Sequence, residues 1–474
     1  MKEKLSDMII TLLKNGYSVK EIAHNLNISK STVYRYRKNY LDSEKKVENL
    51  RPGEYITKTK LYYYIKDKDK TDEEWKNIVK ERKLKSIKIN LKGIYNEELW
   101  FNNTPLIDAC LEKIKRDSSN NLFSLTNIHS MKVNNIIKEN TFALEAFYSS
   151  KIEGAYTTKR IAKNLITGKR KPKDKSEMMI YNNQKALEYG LNNINDLYSH
   201  EFIFKIHDII NSDCLRGQKY DHPEESDMYI SAEKYSYRSD DGIGVYNSIT
   251  GKLVHDCAPS YKIHYMMNEL IEFMENNDLD PIISSAIIHF YFVYIHPFSD
   301  GNGRTARAIA YLYLIKNGHR LFENFSISFI LEKFKQKYYK SILECEKDNL
   351  NLTYFIEYIC VIYSMSIEEI LSKFEIAYTT ANIYEYCESK YILMNENHLH
   401  ILKFIMNQKD FKLDIERYIK KNESKYYKKY KENYQLEIIK EFEYLKDNDI
   451  LEEDGNIFSI NRKFIINKDN CELI

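Results

Sequence analysis

The sequence predicts a mainly α protein, with an all-helical core carrying one β-hairpin, a compact trihelical unit before it and a helix-helix-helix-hairpin unit after it. Three observations predict this. Across residues 100–375 apolar side chains recur at three and four in segments of roughly ten to twenty residues, the period of packed helices. Within that region Tyr235 to Ala258, YSYRSDDGIGVYNSITGKLVHDCA, replaces the helical period with glycines, β-branched residues and polar turns, as a hairpin does. Near the C-terminus Asp454-Gly455 separates two short apolar runs between Ile450 and Ile460, the signal of a tight turn.

The N-terminal unit covers residues 1–42. Leu5, Met8, Ile9, Leu12 and Leu13 form a helical stripe closed by Gly16, and Ser18 with Glu21 is a capping box that opens a second helix. After a turn at Asn25 to Ile28, Ser29 caps a third helix with Val33 and Tyr36 inward and Arg35, Arg37 and Lys38 outward. Residues 1–40 hold eight Lys/Arg against three Asp/Glu, a local excess of +5. The segment resembles the helix-turn-helix of resolvase- and transposase-type proteins, with Lys30, Arg35, Arg37 and Lys38 as candidate DNA contacts. The competing reading is a protein-contact unit with a solvated basic face.

Residues 43–99 read as a charged connector holding Tyr62 to Tyr64 and the helical-looking TDEEWKNIVKERKLK. The helical core spans 100–375. From 390 to 474 two short helices, a longer one from Lys425 to Lys446 and the Asp454-Gly455 hairpin predict a winged-helix-like unit. Its Lys/Tyr run suits either phosphates and bases or a solvated helix face.

With 474 residues, two or three domains are expected, and 71 Lys+Arg against 69 Asp+Glu argue against a nucleic-acid coat or a membrane-surface protein. Seven scattered cysteines without a CxxC pair fit packing residues in a reducing compartment better than disulfides or zinc ligands. The absence of a signal-peptide core or membrane-length apolar run predicts a cytoplasmic protein without a membrane partner.

Candidate chemistry concentrates in His296 to Arg307, HPFSDGNGRTAR. The stretch leaves one apolar helix, marked by Ile283, Ala286, Ile287, Phe290 and Tyr294, and enters another, marked by Ala306, Ile309, Ala310, Tyr313 and Leu314 up to Gly318. Backbone N–H groups at a helix start favour anions. HPFSDGNGR resembles the signature HPFx(D/E)GNGR of the Fic/Doc family, and no GxxxxGK(S/T) phosphate loop is present. The resemblance implies an all-helical Fic core and transfer of AMP from ATP to a protein hydroxyl. The implied partners are ATP, Mg²⁺ and a hydroxyl-bearing target, this chain itself included, and a homodimer is compatible with it.

The residue types suit that reaction. His296, titrating near neutrality, is the expected general base. Pro297 and Phe298 support it. Asp300 is a hard oxygen ligand for Mg²⁺, and Gly301, Asn302 and Gly303 bring backbone donors close to phosphates. Arg304 offers its fork to the β- and γ-phosphates, with Thr305 and Arg307 completing the nucleotide-binding set. Upstream, Ser149 to Gly154 matches the inhibitory pattern (S/T)xxxE(G/N) of self-restrained members, so Ser149, Glu153 and Gly154 are regulatory candidates. Glu153 is expected to pair with Arg307 and withhold it from the γ-phosphate. The hairpin fits the family's target-positioning flap, with Gly242, Ile243, Gly244 and Val245 at its edge. Tyr237-Arg238 and the Ile243 to Val245 edge match the flap's usual pattern, while Gly242 and Gly244 stand where larger apolar residues are common. Tyr338 and Tyr339 resemble an aromatic pair placed near the nucleotide, Glu346 stands where an amide is usual, and His289, Asn182 and Ala186 are expected to be structural. Two alternatives stay open: a hydrolase that removes AMP, and a DNA-binding regulator whose Fic core senses nucleotide.

Overall fold

A computed structural model describes residues 8–9, 12, 17–26, 28–34, 55–119, 143–212, 236–241, 244–246, 253–324 and 326–465. Gly242, Ile243, Arg35, Arg37 and Lys38 lie outside them, as do Cys214 and Cys471. The chain divides into two units, one built from residues up to Ile367 and the other from Glu368 onward together with Ala23–Ser29.

In the first unit Ser18 and Glu21 exchange backbone-to-side-chain bonds of 2.6 and 3.2 Å, a reciprocal helix cap. Tyr17, just before it, is buried edge-on against Phe334, with Lys337 Nζ 3.1 Å from its ring centroid. The stretch read as a connector contains the helices Lys58–Ile65 and Lys68–Leu84, opened by the side chains of Thr57 and Asp67. It also contains an antiparallel pair, β1 (Ile87–Lys92) and β2 (Glu98–Phe101). Ile89, Leu91, Leu99 and Phe101 turn inward while lysines alternate outward, a period of two that the charge density masks in the sequence.

The core follows. Its working parts are α1 (residues 143–152), α2 (His200–Asn211), the hairpin strands β3 (Gly244–Tyr246) and β4 (Leu253–Asp256), α3 (Ser260–Asn276), α4 (Pro281–Ile295), α5 (Asn302–Lys316) and α6 (Lys335–Lys347). Helix α4 starts cleanly because Asp280 accepts from Ile282 N–H at 2.9 Å and Pro281 occupies the first turn. It is buried on every side rather than along one stripe, so its polar members are bonded: Ser285 donates to the Ala310 carbonyl at 3.0 Å. Tyr291 and Tyr294 on α4 also anchor the β1–β2 pair, through the Lys92 carbonyl at 2.7 Å and the Ile94 N–H at 3.1 Å. Helix α5 packs along α4 and ends at Gly318, which adopts the expected left-handed cap.

In the second unit the order is helix Glu396–Met406, β5 (Lys412–Asp414), helices Ile415–Tyr430 and Tyr434–Asp447, β6 (Leu451–Asp454) and β7 (Ile457–Ile460), with the sheet ordered β5-β7-β6. The single helix expected over Lys425–Lys446 is instead two, broken by a 3₁₀ turn at Lys431, whose φ is positive. Gly455, in a left-handed conformation, makes the hairpin turn. The five described cysteines are buried free thiols. No described helix is long and apolar enough to cross a membrane.

Candidate active site

His296 is the residue at which α4 stops. It adopts a left-handed backbone conformation, which a non-glycine residue holds only where its surroundings insist. Those surroundings are largely hairpin. The Tyr294, Ile295, His296 and Pro297 carbonyls accept, in order, from His255 Nε2 (2.8 Å), Ala258 N (3.3 Å), Arg238 Nε (2.8 Å) and Arg238 N (3.0 Å). A helix exit leaves such carbonyls without intrahelical partners, and here the flap supplies them. The imidazole is half-buried, with its Nδ1 buried and unbonded. Burial first, then the charges of His255 and Arg238, push its pKa down to about 4, well below the near-neutral value expected from sequence.

The loop beyond is braced from within and from α2. Asn302 closes it by accepting from Phe298 N at 3.0 Å and donating to Phe298 O at 2.6 Å, so only its main chain is left for an anion. Thr305 is likewise not a phosphate ligand through its hydroxyl, which is fully buried and donates to Gly301 O at 2.9 Å. From α2, His207 stacks on Phe298 at 3.5 Å and approaches the Asp300 carbonyl at 2.9 Å, while Asn211 donates to that carbonyl at 3.0 Å. Asn211 Oδ1 and the Ile210 carbonyl accept from Arg304 at 3.0 and 3.1 Å. Arg304, 2% exposed, is therefore held in the wall with its fork occupied, not free to offer that fork to the β- and γ-phosphates as the sequence suggested. Gly301, also left-handed, lies so close to Asn211 that a Cβ would collide with its amide. Asn211→Ala is expected to lower stability by about 1–3 kcal/mol in urea unfolding, because a buried guanidinium loses a partner.

Asp300 projects its carboxylate outward, 55% exposed, with Arg304 3.9 Å away. A single exposed carboxylate fits Mg²⁺, which keeps waters and shares itself between one or two carboxylates and phosphates. Among the described residues no cluster of three or more His, Cys, Asp or Glu offers a closed metal cage.

Helix α1 ends in a Schellman turn, with Ala155 N bonded to Ser150 O at 3.0 Å, Gly154 N to Lys151 O at 3.1 Å and Gly154 left-handed. The turn leaves Glu153 facing α5. Its Oε1 is 2.9 Å from Arg307 Nη1, and a Cβ on Gly303 would collide with the same carboxylate. Ser149 completes the grip, taking Arg307 Nε on its hydroxyl at 2.9 Å and Nη2 on its carbonyl at 2.8 Å. Burial opposes the charge on Arg307, but Glu153 together with Tyr338 and Tyr339 outweighs it and raises the guanidinium pKa.

Tyr338 is buried, with its hydroxyl engaged by His289 at 3.0 Å, so it lines the wall instead of facing open space; Tyr339 is 43% exposed. Burial lowers the His289 pKa to about 3, consistent with its structural place. Gly244 and Val245 belong to β3, paired with Asp256 and His255. Lys30 lies in the helical residues 30–34 and is exposed. Sequence reasoning did not find His207, Asn211 and His255, whose partners are far along the chain.

Residues 197–314 match the Fic/DOC family, and residues 2–38 match the helix-turn-helix domain of resolvase. The chain carries a Fic domain. Protein adenylyltransferase Fic of Nematostella vectensis is 30% identical over 216 residues, which is 44% of this chain and 45% of that protein. The probable protein adenylyltransferase of Aquifex aeolicus is 34% identical over 61 residues, 13% of this chain and 19% of that protein. The chain thus spans less than half the length of these relatives. Among solved structures, a Fic family protein from Desulfovibrio desulfuricans aligns over 76% of this chain and 97% of its own at 17% identity and a TM-score of 0.46. Fic-1 from C. elegans aligns over 58% of this chain and 75% of its own at 18% identity and a TM-score of 0.42. The His296–Arg307 loop lies within the Fic domain, and Ser149 to Gly154 lies upstream of it.

Proposed function

We propose that this protein is an adenylyltransferase that moves AMP from ATP to a Ser, Thr or Tyr hydroxyl of a protein, and that it restrains itself through Glu153. The observation that carries this reading is the Glu153 carboxylate seated over Gly303 against Arg307: an anion occupies the ground an anionic ligand needs at the start of α5. When Glu153 withdraws, Arg307 and the N–H groups of that first turn become available to phosphates.

In the reaction the target hydroxyl oxygen attacks the α-phosphorus, its proton passes to His296, and the bond from that phosphorus to the bridging oxygen breaks, releasing pyrophosphate. A neutral imidazole suits proton acceptance, and because Nδ1 is buried, Nε2 is the nitrogen that would meet the hydroxyl. Arg304 and Arg307 supply fixed positive charge beside the loop. Asp300 would hold Mg²⁺, whose chemistry is to neutralise the polyphosphate and stabilise charge on the leaving pyrophosphate. A groove of about 450 Å³ at the flap base, lined by Phe204, Tyr237, Arg238, Ser260, Tyr261 and His264, offers room for an extended target segment. The flap's strand edge suits main-chain pairing with it.

The test is incubation with Mg²⁺ and ATP labelled at the α- or the γ-phosphate. Label on protein from the α position only supports the reading; release of AMP from a pre-modified protein, with no forward transfer, would instead make it a hydrolase. The match of residues 2–38 supports a further reading, that the N-terminal unit brings the enzyme to DNA. Its test is a gel shift that weakens steeply with salt, since phosphate contacts release counterions. The second unit's helix–strand–helix–helix–hairpin order supports a winged-helix-like module.

A further inference from the structure

The inner side of the flap is bonded to the exit of α4. His255 on β4 is 7% exposed and has an acceptor at each ring nitrogen: the Tyr294 carbonyl 2.8 Å from Nε2 and Glu346 Oε1 of α6 2.9 Å from Nδ1. A carbonyl accepts only, so Nε2 carries a proton, and a bare Nδ1 lone pair facing a carboxylate would be repelled. The geometry therefore fits an imidazolium. The Glu346 contact is an ion pair without the alignment of a good hydrogen bond, so charge holds His255 there and the carbonyl fixes its direction.

We infer that His255 is a positioning residue for the base: paired with Glu346, it caps the Tyr294 carbonyl, and with Arg238 and Ala258 it locks the left-handed turn that aims His296. This rests on the adenylyltransferase reading. Without His255 the Tyr294 carbonyl loses its partner two residues before the base, and Glu346 is left half-buried without its cation. The groups expected to hold phosphates, Gly303 and Arg307, touch none of these atoms, so the loss should appear in the chemical step and not in nucleotide binding.

The charged and titratable neighbours agree. His255 faces Glu346 from α6, Cys257 from its own strand end, Tyr294 from α4 and His296 beyond; burial lowers its pKa, but Cys257 and Glu346 outweigh burial and raise it to about 10. His296 faces His255, Arg238 and Glu153. The base is therefore kept free of a proton at neutral pH by its burial first and then by the two cations beside it.

The experiment uses the full chain carrying Glu153→Gly, so that self-restraint does not mask the rate. His255→Ala is expected to lower kcat for AMP transfer by about 10–100-fold, the scale of a misplaced reacting group, with KM for ATP within about twofold. His255→Gln, which retains an N–H donor for the Tyr294 carbonyl, should recover part of the loss. An unchanged kcat, a loss carried by KM, or equal losses in the two variants would overturn the inference. A second readout does not need activity: in ¹⁵N-histidine spectra the His296 pKa should rise in His255→Gln as the adjacent cation is removed, and no shift would count against the assignment. If the parent transfers no AMP, the adenylyltransferase reading fails while the spectra still decide whether His255 governs His296.

Discussion

The His296→Ala protein is expected to transfer AMP slower by on the order of 10²–10⁴-fold, the usual contribution of a positioned base. The loss should fall on kcat, because the imidazole is not among the groups gripping phosphates. Its pH dependence gives a sharper check. An ordinary histidine would begin to lose base strength by protonation near pH 6.5, whereas burial and the His255 and Arg238 charges hold His296 neutral down to about 4. The base is active when unprotonated, so the rate of free enzyme acting on ATP, kcat/KM, should show no acid limb between pH 5 and 7 and should fall only as pH approaches about 4. Bound ATP adds negative charge beside the ring and raises its pKa, so the limb in kcat should lie higher than the limb in kcat/KM.

The opposite effect is expected at Glu153. Glu153→Gly should raise AMP transfer by about 5–150-fold, the range of a coupling between two mutually exclusive contacts. In the structure Arg307 is gripped from the end of α1 by two bonds to Ser149 and one ion pair to Glu153, and the carboxylate fills the space that the missing Gly303 side chain leaves. Removing the carboxylate clears the anion seat while Ser149 still steadies the guanidinium. Label transfer from α-labelled ATP measures the change; no acceleration would mean that Glu153 does not restrain the site.

The parts of this site that were legible in the sequence are those whose residues lie close together along the chain. HPFSDGNGR marks the loop, its flanking apolar periods mark α4 and α5, and Gly318 marks the end of α5. Ser149 to Gly154 could be paired with Arg307 because two patterns met, and the two side chains stand 2.9 Å apart. What the sequence did not disclose was how the loop is held. Asn211 meets Arg304 across 93 positions and His255 meets Tyr294 across 39, with no period or motif to join them. Arg304 and Thr305 were given to phosphates from residue type and the motif's resemblance, yet both are consumed by the loop's own bracing, as side chains at a tight turn often must be when carbonyls would otherwise be buried unbonded. The β1–β2 pair was obscured by lysines on its outer face, and the break at Lys431 by a run of helix-favouring residues on both sides.

Arg307 serves either Glu153 or the phosphates, and a double-mutant cycle in AMP transfer tests this exclusivity. Wild type, Glu153→Gly, Arg307→Ala and the double variant are compared with α-labelled ATP and Mg²⁺ at fixed target concentration. Glu153→Gly should accelerate transfer in the Arg307 background and lose most of that acceleration in Arg307→Ala, because nothing remains to compete for. Equal acceleration in both backgrounds would contradict it.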